Sequence, residues 1–469
     1  MRDALRSGRF TTFRAAGETV LFRIDGLVVT LDDVLADAFD GRTAEELWTA
    51  HSEEAIERAS ADLEQLHRAG VFDLGAHVPA APHAASSLTL MVAQNCNLTC
   101  TYCYGGEGTY GSRTKTMSTE VADQAVDMLM MRAPGRRRYA ITFFGGEPLL
   151  NFPVIVHTVE RCRELAKGAD ARFRYSITTN GTVMTDRIID FLAEHRFSVM
   201  ISYDGPHGRH RRFRNGRPSS SRVEATIARL AARGIDVQVR ATITSDNMEV
   251  REIIDQTTSL GARHVAMSTA TPPPTEFGPR CADLAPSAAQ QSEFQQMLRE
   301  VARDNVERAI EGKDRIASLD PYAALIRNLV AGQQPQRKCG VCAGAAAVST
   351  EGAIYPCHRF VGLDDYVIGD IRSGIAEDRA NSFFASRDAA SDSGCLTCWA
   401  REICDRGCPF TIADGKGGFV APSEDDCVTT REGVRFAVEM LLAVRAAGPE
   451  AAKRYLSPSS RQLPPATSR

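Results

Sequence analysis

Three cysteines, Cys96, Cys100 and Cys103, stand at C-x3-C-x2-C spacing directly after the apolar run Leu88 to Val92. Thiolates are soft ligands that suit zinc and iron–sulfur clusters. Three set this closely can hold three irons of a 4Fe–4S cube and leave the fourth iron open to a small molecule. A structural zinc site usually has four closed ligands, so the odd set of three points to redox chemistry at an open iron. Eight further cysteines follow: Cys339, Cys342, Cys357, Cys395, Cys398, Cys404, Cys408 and Cys427. Together the two sets take eleven of the thirteen cysteines in the chain. Of the remaining two, Cys281 lies outside both sets and Cys162 falls inside a helical pattern, where a buried small hydrophobe is expected.

The first set needs a scaffold, and the pattern around it supplies one. From Ser87 to about Pro272 apolar strand-like runs alternate with helical periodicity. The expected strands are Leu88–Ala93, Tyr139–Phe144, Phe173–Thr178, Ser198–Tyr203, Val237–Thr244 and His264–Ser268. Helical stripes such as Val121, Val126, Leu129 and Met130, or Val223, Ile227 and Leu230, separate them. Six β/α units in series predict a parallel sheet, as an open barrel or a doubly wound layer. Chemistry in such sheets gathers at the carboxyl ends of the strands. The cysteine triplet follows the first strand, and Gly145-Gly146-Glu147-Pro148 follows the second, where glycines allow close backbone approach.

At 469 residues the chain is expected to hold two or three domains. A net charge of −4 and the lack of a basic stripe speak against a nucleic-acid partner. No signal peptide and no run of membrane-spanning length is read, so no membrane is expected. Clustered cysteines without a signal predict metal binding in a reducing cytoplasm rather than disulfides.

Residues 1–75 read as a small unit. Thr19 to Ile24 and Leu27 to Thr30 flank Asp25-Gly26, a hairpin signal. Thr43 and Glu46 fit a capping box, and Ile56, Ala59, Leu63 and Leu66 share a helical face. A hairpin followed by three helices predicts a winged-helix-like domain. Residues 76–86 form an Ala/Pro-rich linker, 87–284 the β/α region, 285–335 a charged helical connector, 336–430 a cysteine-rich extension, and 431–469 a C-terminal helix with a disordered Pro/Ser-rich tail.

The triplet with an aromatic before its last cysteine resembles the signature of the radical S-adenosylmethionine (SAM) superfamily. Gly145-Gly146-Glu147-Pro148, Thr178-Thr179-Asn180-Gly181, Ser202-Tyr203-Asp204-Gly205-Pro206 and Arg240-Ala241-Thr242 resemble its later strand ends, in order. The resemblance implies a partial (β/α)6 TIM-like barrel. It implies that Tyr102, Gly145, Gly146, Glu147, Pro148, Thr179, Asn180, Ser202, Asp204 and Arg240 bind the cofactor. It further implies that the open iron chelates the amino and carboxylate groups of SAM. One electron then splits the sulfonium to a 5′-deoxyadenosyl radical that removes hydrogen from an unactivated carbon. Asp204 could also simply close a turn. The stretch Tyr104 to Gly108 could shape the pocket or be a flexible loop.

The C-terminal set, with its Gly352-x4-Cys357 step, resembles the SPASM extension of peptide-modifying members. That likeness implies two auxiliary 4Fe–4S clusters, hence three clusters in all. Cys339, Cys342, Cys357 and Cys408 would hold the first, and Cys395, Cys398, Cys404 and Cys427 the second. Zinc ribbons are the alternative, since C-x2-C pairs favour zinc too. Cys339 lies only three positions before Cys342, and without it the first auxiliary cluster would keep an open iron. His358 stands where sulfatase-maturing relatives have an Asp base, so it is the candidate base.

The N-terminal unit resembles the recognition element that captures the leader of a ribosomally made precursor peptide, by adding a strand at a sheet edge. The string Ile354 to Gly362 and the loop from Cys103 resemble two groups of maturases that form thioethers. One acts on cysteine-rich peptides, and the other matures a small subunit of quinohemoprotein amine dehydrogenase. The expected function is thioether cross-linking of a precursor peptide or small protein subunit, with flavodoxin or ferredoxin as reductant. Carbon–carbon or ether cross-linking, epimerisation and sulfatase maturation stay open within the superfamily. Outside it, an iron–sulfur electron carrier and a zinc-bearing DNA regulator stay open.

Overall fold

A computed structural model describes residues 9–72, 86–271, 283–313, 318–320, 322–332, 345–390, 393–404 and 407–457. The chain begins with three antiparallel strands, β1 (Phe10–Ala15), β2 (Glu18–Arg23) and β3 (Val28–Leu31), in the order β1-β2-β3. The β2–β3 hairpin turns at Asp25-Gly26, as its sequence predicts. Strand β1 was not legible, because Thr11, Thr12 and Arg14 dilute its apolar signal. It reaches β2 through Ala16-Gly17, both at positive φ (50° and 84°), the twist that a two-residue hairpin loop prefers. Three helices follow: α1 (Asp33–Phe39), α2 (Ala44–Ala50) and α3 (Glu53–Arg68). The capping box of Thr43 and Glu46 opens α2.

This small sheet is buried on both faces. Phe10, Leu21 and Leu31 pack with Val34, Leu35 and Phe39 of α1 and with Ala59 of α3. Phe13, Val20 and Phe22 belong instead to a larger core that includes the C-terminal helices. Trp399 closes that seam, with its ring 5.8 Å from Phe13 and 5.6 Å from Phe22. Trp399→Ala is expected to cost about 3 kcal/mol and to loosen the N-terminal unit first. A lower thermal midpoint with faster amide exchange in β1 and β2 would check this.

The main sheet is built from the alternation that the sequence displays. Its strands are β4 (Ser87–Gln94), β5 (Lys115–Thr116), β6 (Arg138–Gly145), β7 (Arg172–Thr179), β8 (Ser198–Ser202), β9 (Val237–Ile243) and β10 (His264–Thr269). Helices α4 (Thr119–Arg132), α5 (Phe152–Ala169), α6 (Asp186–Glu194), α7 (Ser220–Ala232) and α8 (Val250–Ser259) connect successive long strands. Strands β4, β6, β7, β8, β9 and β10 are parallel and adjacent in that order, and β5 pairs antiparallel with β4. This sequential order lacks the reversal that a doubly wound sheet requires. The helix stripes bury Val126, Leu129, Ile227 and Leu230 against Leu90, Ile141, Phe143, Ile177 and Val199 in one core, which also takes in Cys162.

Beyond β10 the segment expected as a helical connector is helical and also carries a short strand. Helix α9 (Ala288–Ile310) leads to β11 (Ser318–Asp320), which extends the parallel sheet beside β10, and then to α10 (Tyr322–Val330). A three-residue strand carries too little periodicity to be read from sequence. Phe294, Leu298 and Val301 of α9 sit in the shared core, so this helix packs as part of it. On the opposite edge β12 (Ala345–Val348) pairs parallel with β4. Strands β13 (Ala353–Tyr355), β14 (Gly369–Asp370) and β15 (Gly374–Ile375) then continue antiparallel, so the sheet is mixed. Helices α11 (Glu377–Ala389), α12 (Ser393–Thr397), α13 (Arg401–Cys404), α14 (Glu424–Ala446) and α15 (Pro449–Leu456) complete the described chain. Helix α14 starts before the expected boundary at 431 and carries Cys427 in its first turn. The tail from 458 onward, Cys281, Cys339 and Cys342 lie outside the described residues.

Candidate active site

The carboxyl ends of β4, β6, β7, β8 and β9 bring the expected residues together. At the end of β6 the backbone lies flush against the cysteine loop. Gly146 N–H donates to the Ala93 carbonyl (2.8 Å) and Glu147 N–H to the Asn95 carbonyl (2.8 Å). A Cβ on Gly145, whose φ is +143°, would stand 2.2 Å from the Ala93 oxygen, and one on Gly146 would stand 2.3 Å from the Asn95 oxygen. Only glycine permits this approach. Pro148 opens the short 3-10 turn Pro148–Asn151 that carries the chain away.

Glu147 is fully buried. Its carboxylate accepts from Thr179 Oγ1 (2.7 Å), Asn180 N (2.7 Å) and Leu149 N (3.0 Å), so one side chain ties the end of β6 to the end of β7. Burial pushes its pKa up, and these hydrogen bonds oppose that rise. Asn180 continues the link: its Nδ2 reaches Asn97 Oδ1 at 2.9 Å and Cys96 Sγ at 3.7 Å. Asn97 in turn donates to Thr182 Oγ1 (2.8 Å).

The three thiols face one another's charge across this loop, and burial raises the pKa of each: Cys96 to about 11, Cys100 to about 12, and Cys103 upward. The backbone N–H groups of Gly105, Glu107 and Gly108 point to Cys103 Sγ and favour its ionised form. Iron must displace protons from such thiols, so metal binding and proton release are coupled here. Among the described residues no three His, Cys, Asp or Glu side chains converge on a single ion. Ligands of a cube bind separate irons and stand further apart. The triad fits a 4Fe–4S cluster in donor type, in its half-buried setting and in the N–H groups turned toward sulfur.

A segment after β8 lies across the loop. Arg214 Nε donates to the Cys96 carbonyl (3.0 Å), Thr99 N to the Arg212 carbonyl (2.8 Å), and Thr101 Oγ1 meets His210 Nδ1 at 2.7 Å. Tyr102 is half-buried and its hydroxyl bonds Asp204. Asp204 does more than close a turn, because its other oxygen accepts from Thr242 N (2.9 Å) and so joins β8 to β9. Arg211 Nη1 donates to the same tyrosine hydroxyl (3.2 Å). Ser202 and Arg240 are register partners at the ends of β8 and β9, and Arg240 is exposed with Nη2 on Ser268 Oγ (2.9 Å).

The second cysteine set approaches from the β12–β13 side. The ring of His358 lies 4.3 Å from that of Phe144 on β6, and its Nδ1 is 3.6 Å from Cys357 Sγ. Burial, with the charges of Arg359 and Arg240, pushes the His358 pKa down to about 3, so the imidazole is neutral. Arg359 stacks over Phe410 (4.3 Å) and Tyr104 (5.2 Å) and points Nη1 at Cys408 Sγ (3.7 Å). Residue Tyr104 thus packs into an aromatic seam between the two cysteine regions, rather than lying in a loose loop. Further off, Cys395 and Cys398 share one turn, and Cys427 feels the charges of Cys404 and Cys398. The described cysteines form no disulfide.

Residues 90–257 match the model of the Radical SAM superfamily. They are a radical SAM domain. The domain implies a 4Fe–4S cluster and SAM, and the chain is a radical SAM enzyme. A cysteine-type anaerobic sulfatase-maturating enzyme of Clostridium perfringens is 25% identical over 341 residues, which cover 69% of this chain and 88% of that one. Among solved structures, the radical SAM fold is shared with native anSMEcpe with bound AdoMet and Cp18Cys peptide (TM-score 0.63, 21% identity, 77% of this chain and 98% of that one). It is also shared with Streptococcus suis SuiB bound to precursor peptide SuiA (TM-score 0.53, 13% identity, 89% of this chain and 98% of that one). No described helix is long and apolar enough to cross a membrane.

Sequence reasoning missed Asn97, His210, Arg211 and Arg214. The run Arg209-His210-Arg211-Arg212 reads as a solvated charged stretch. Its position two residues beyond Asp204-Gly205-Pro206, after a strand end, was the available signal.

Proposed function

We propose that the chain is a radical SAM maturase of a peptide or small protein, and that it forms intramolecular thioethers between cysteine sulfur and carbon. The observation that carries this reading is the meeting of the two cysteine regions, with Cys357, His358 and Arg359 seated over the end of β6 beside the radical SAM loop. Redox groups held there would lie next to any substrate at the strand ends. The relative named as a sulfatase-maturating enzyme acts on a protein, and both solved structures hold peptides, which supports a peptide substrate.

In this reading Cys96, Cys100 and Cys103 hold the SAM-binding cluster. Gly145, Gly146, Glu147, Pro148, Thr179, Asn180, Ser202, Asp204, Arg240 and Tyr102 shape the cofactor site. When bound, SAM and the cluster supply one-electron hydrogen abstraction. The protein's part is to hold the strand ends rigid, which the Glu147 carboxylate does, and to keep water out. Cys357 and Cys408, with Cys339 and Cys342, form the ligand set of one auxiliary cluster. Cys395, Cys398, Cys404 and Cys427 form that of the second, in a SPASM-type extension spanning 336–430. His358 is the candidate base, and its burial keeps the ring neutral. A flavodoxin or ferredoxin supplies electrons.

The test is anaerobic incubation of reconstituted enzyme with SAM, reductant and the short cysteine-containing peptides encoded beside its gene. The expected result is 5′-deoxyadenosine together with a peptide lighter by two hydrogen atoms. Peptides of unchanged mass in the presence of 5′-deoxyadenosine would argue against thioether formation.

The N-terminal unit is our candidate for a winged-helix-like, leader-binding domain. In the three-stranded sheet, β3 pairs on one side with β2, and the Val28 carbonyl also accepts from Arg445 (3.2 Å). A peptide strand added along the remaining edge would protect the amides of Val28–Leu31. Hydrogen exchange with and without precursor peptide measures this. Slower exchange confined to β3 is expected, and unchanged exchange with bound peptide would place the leader elsewhere.

A further inference from the structure

Arg211 lies deep in the site, 7% exposed. Its Nη1 is engaged by Tyr102, while Nε and Nη2 are buried with no hydrogen-bond partner. Two unmet donors on a buried cation are costly unless something accepts them. Neither nearby carboxylate does. Asp204 is taken up by Tyr102 and the Thr242 amide, and Glu147 by Thr179, Asn180 and Leu149. The groups left within reach of its field are the cysteines. A guanidinium stays protonated even when buried, so the cation remains beside the Tyr102 hydroxyl and the cysteine loop. Cys96 and Cys103 sense the same cation.

We infer that Arg211 is the buried counter-charge of the cluster held by Cys96, Cys100 and Cys103, with Nε and Nη2 donating to its sulfur and raising its reduction potential. This rests on the assignment of that cluster. Reduction adds one electron from the external reductant, with no bond made or broken, to a group already carrying three thiolates. A fixed cation in a medium of low dielectric favours the reduced form. Asp204 works in the opposite sense, since its carboxylate offsets part of that positive charge. Arg211 is therefore a positioning and tuning residue, and its effect should appear in the potential of the cluster before any substrate is present.

The experiment is a redox titration of full-length reconstituted protein without SAM, followed by electron paramagnetic resonance. The signal of the three-cysteine cluster is recognised by its later response to SAM, and iron and sulfide are counted per chain. For R211Q with an assembled cluster, the reduced-to-oxidised ratio at fixed potential should fall by about tenfold or more, which is 59 mV for a one-electron couple. R211K should stay close to the parent, and D204N should shift the ratio upward. An assembled R211Q cluster with an unchanged ratio overturns the inference, including the case in which only SAM binding weakens and Arg211 serves the SAM carboxylate instead. If R211Q fails to assemble, D204N decides: an upward shift supports the inference and no shift overturns it. Parent protein without iron at the triad would refute the cluster assignment itself, a different failure.

Discussion

Cys100→Ala is expected to abolish 5′-deoxyadenosine formation while leaving the fold and the second cysteine set in place. Cys100 is half-buried at the centre of a loop held from several sides: by Arg214 on Cys96, by Arg212 on Thr99, and by His210 on Thr101. Removing one sulfur from that frame costs about 1 kcal/mol of stability, so the chain stays folded. A cube left with two thiolates loses its anchoring, and the open iron is no longer presented to SAM. Iron and sulfide per chain should drop by one cluster, with the remainder held by the second set. Product analysis after anaerobic incubation with SAM checks the loss. Retained SAM cleavage by this variant would place the cofactor elsewhere.

Gly146→Ala is the second large effect. Its Cβ would stand 2.3 Å from the Asn95 oxygen and 2.9 Å from the Gly108 Cα, both on backbone that cannot swing aside as a side chain would. Relief requires the β6 end and the cysteine loop to part. That would strain the hydrogen bonds that Gly146 and Glu147 make to β4 and its loop. The expected cost is about 3 kcal/mol, with SAM affinity lost together with stability. Gly168→Ala is the control: it lies on an exposed stretch of α5 with nothing within 4 Å of the new Cβ. It should stabilise by about 0.5–1 kcal/mol, because alanine is the better helix former. Urea unfolding of both variants measures the contrast, and equal costs would mean that the close approach at Gly146 is not a constraint.

Much of the β/α region was legible because each strand is a short apolar run bounded by helical periodicity, and both periods follow from burial on one side or two. Expected strands such as Tyr139–Phe144 and His264–Ser268 fall inside the observed Arg138–Gly145 and His264–Thr269. Strand β1 was not legible because two threonines and an arginine interrupt its apolar residues, and β11 because three residues hold no period. Sequence spacing also names the cysteines without saying what surrounds them. That Glu147 clamps two strand ends, that Asp204 reaches Tyr102, and that Arg211 is buried against the Tyr102 hydroxyl are facts of three-dimensional charge placement. A basic run looks solvated until a turn folds one of its arginines inward.

The N-terminal unit teaches a related lesson. Its helices were visible as a capped, periodic segment, yet the role of its sheet as a shared wall was not. Phe13 and Phe22 meet Trp399, nearly four hundred residues away in sequence, and no local pattern encodes that contact.

The central claim is that Cys96, Cys100 and Cys103 hold a cube with one iron open to SAM. Electron paramagnetic resonance of the anaerobically reconstituted, reduced protein, recorded before and after addition of SAM, tests it most directly. The expected result is a cluster signal that changes on addition of SAM and is lost in Cys100→Ala. A reduced protein whose signals are indifferent to SAM, with no 5′-deoxyadenosine formed, would contradict it.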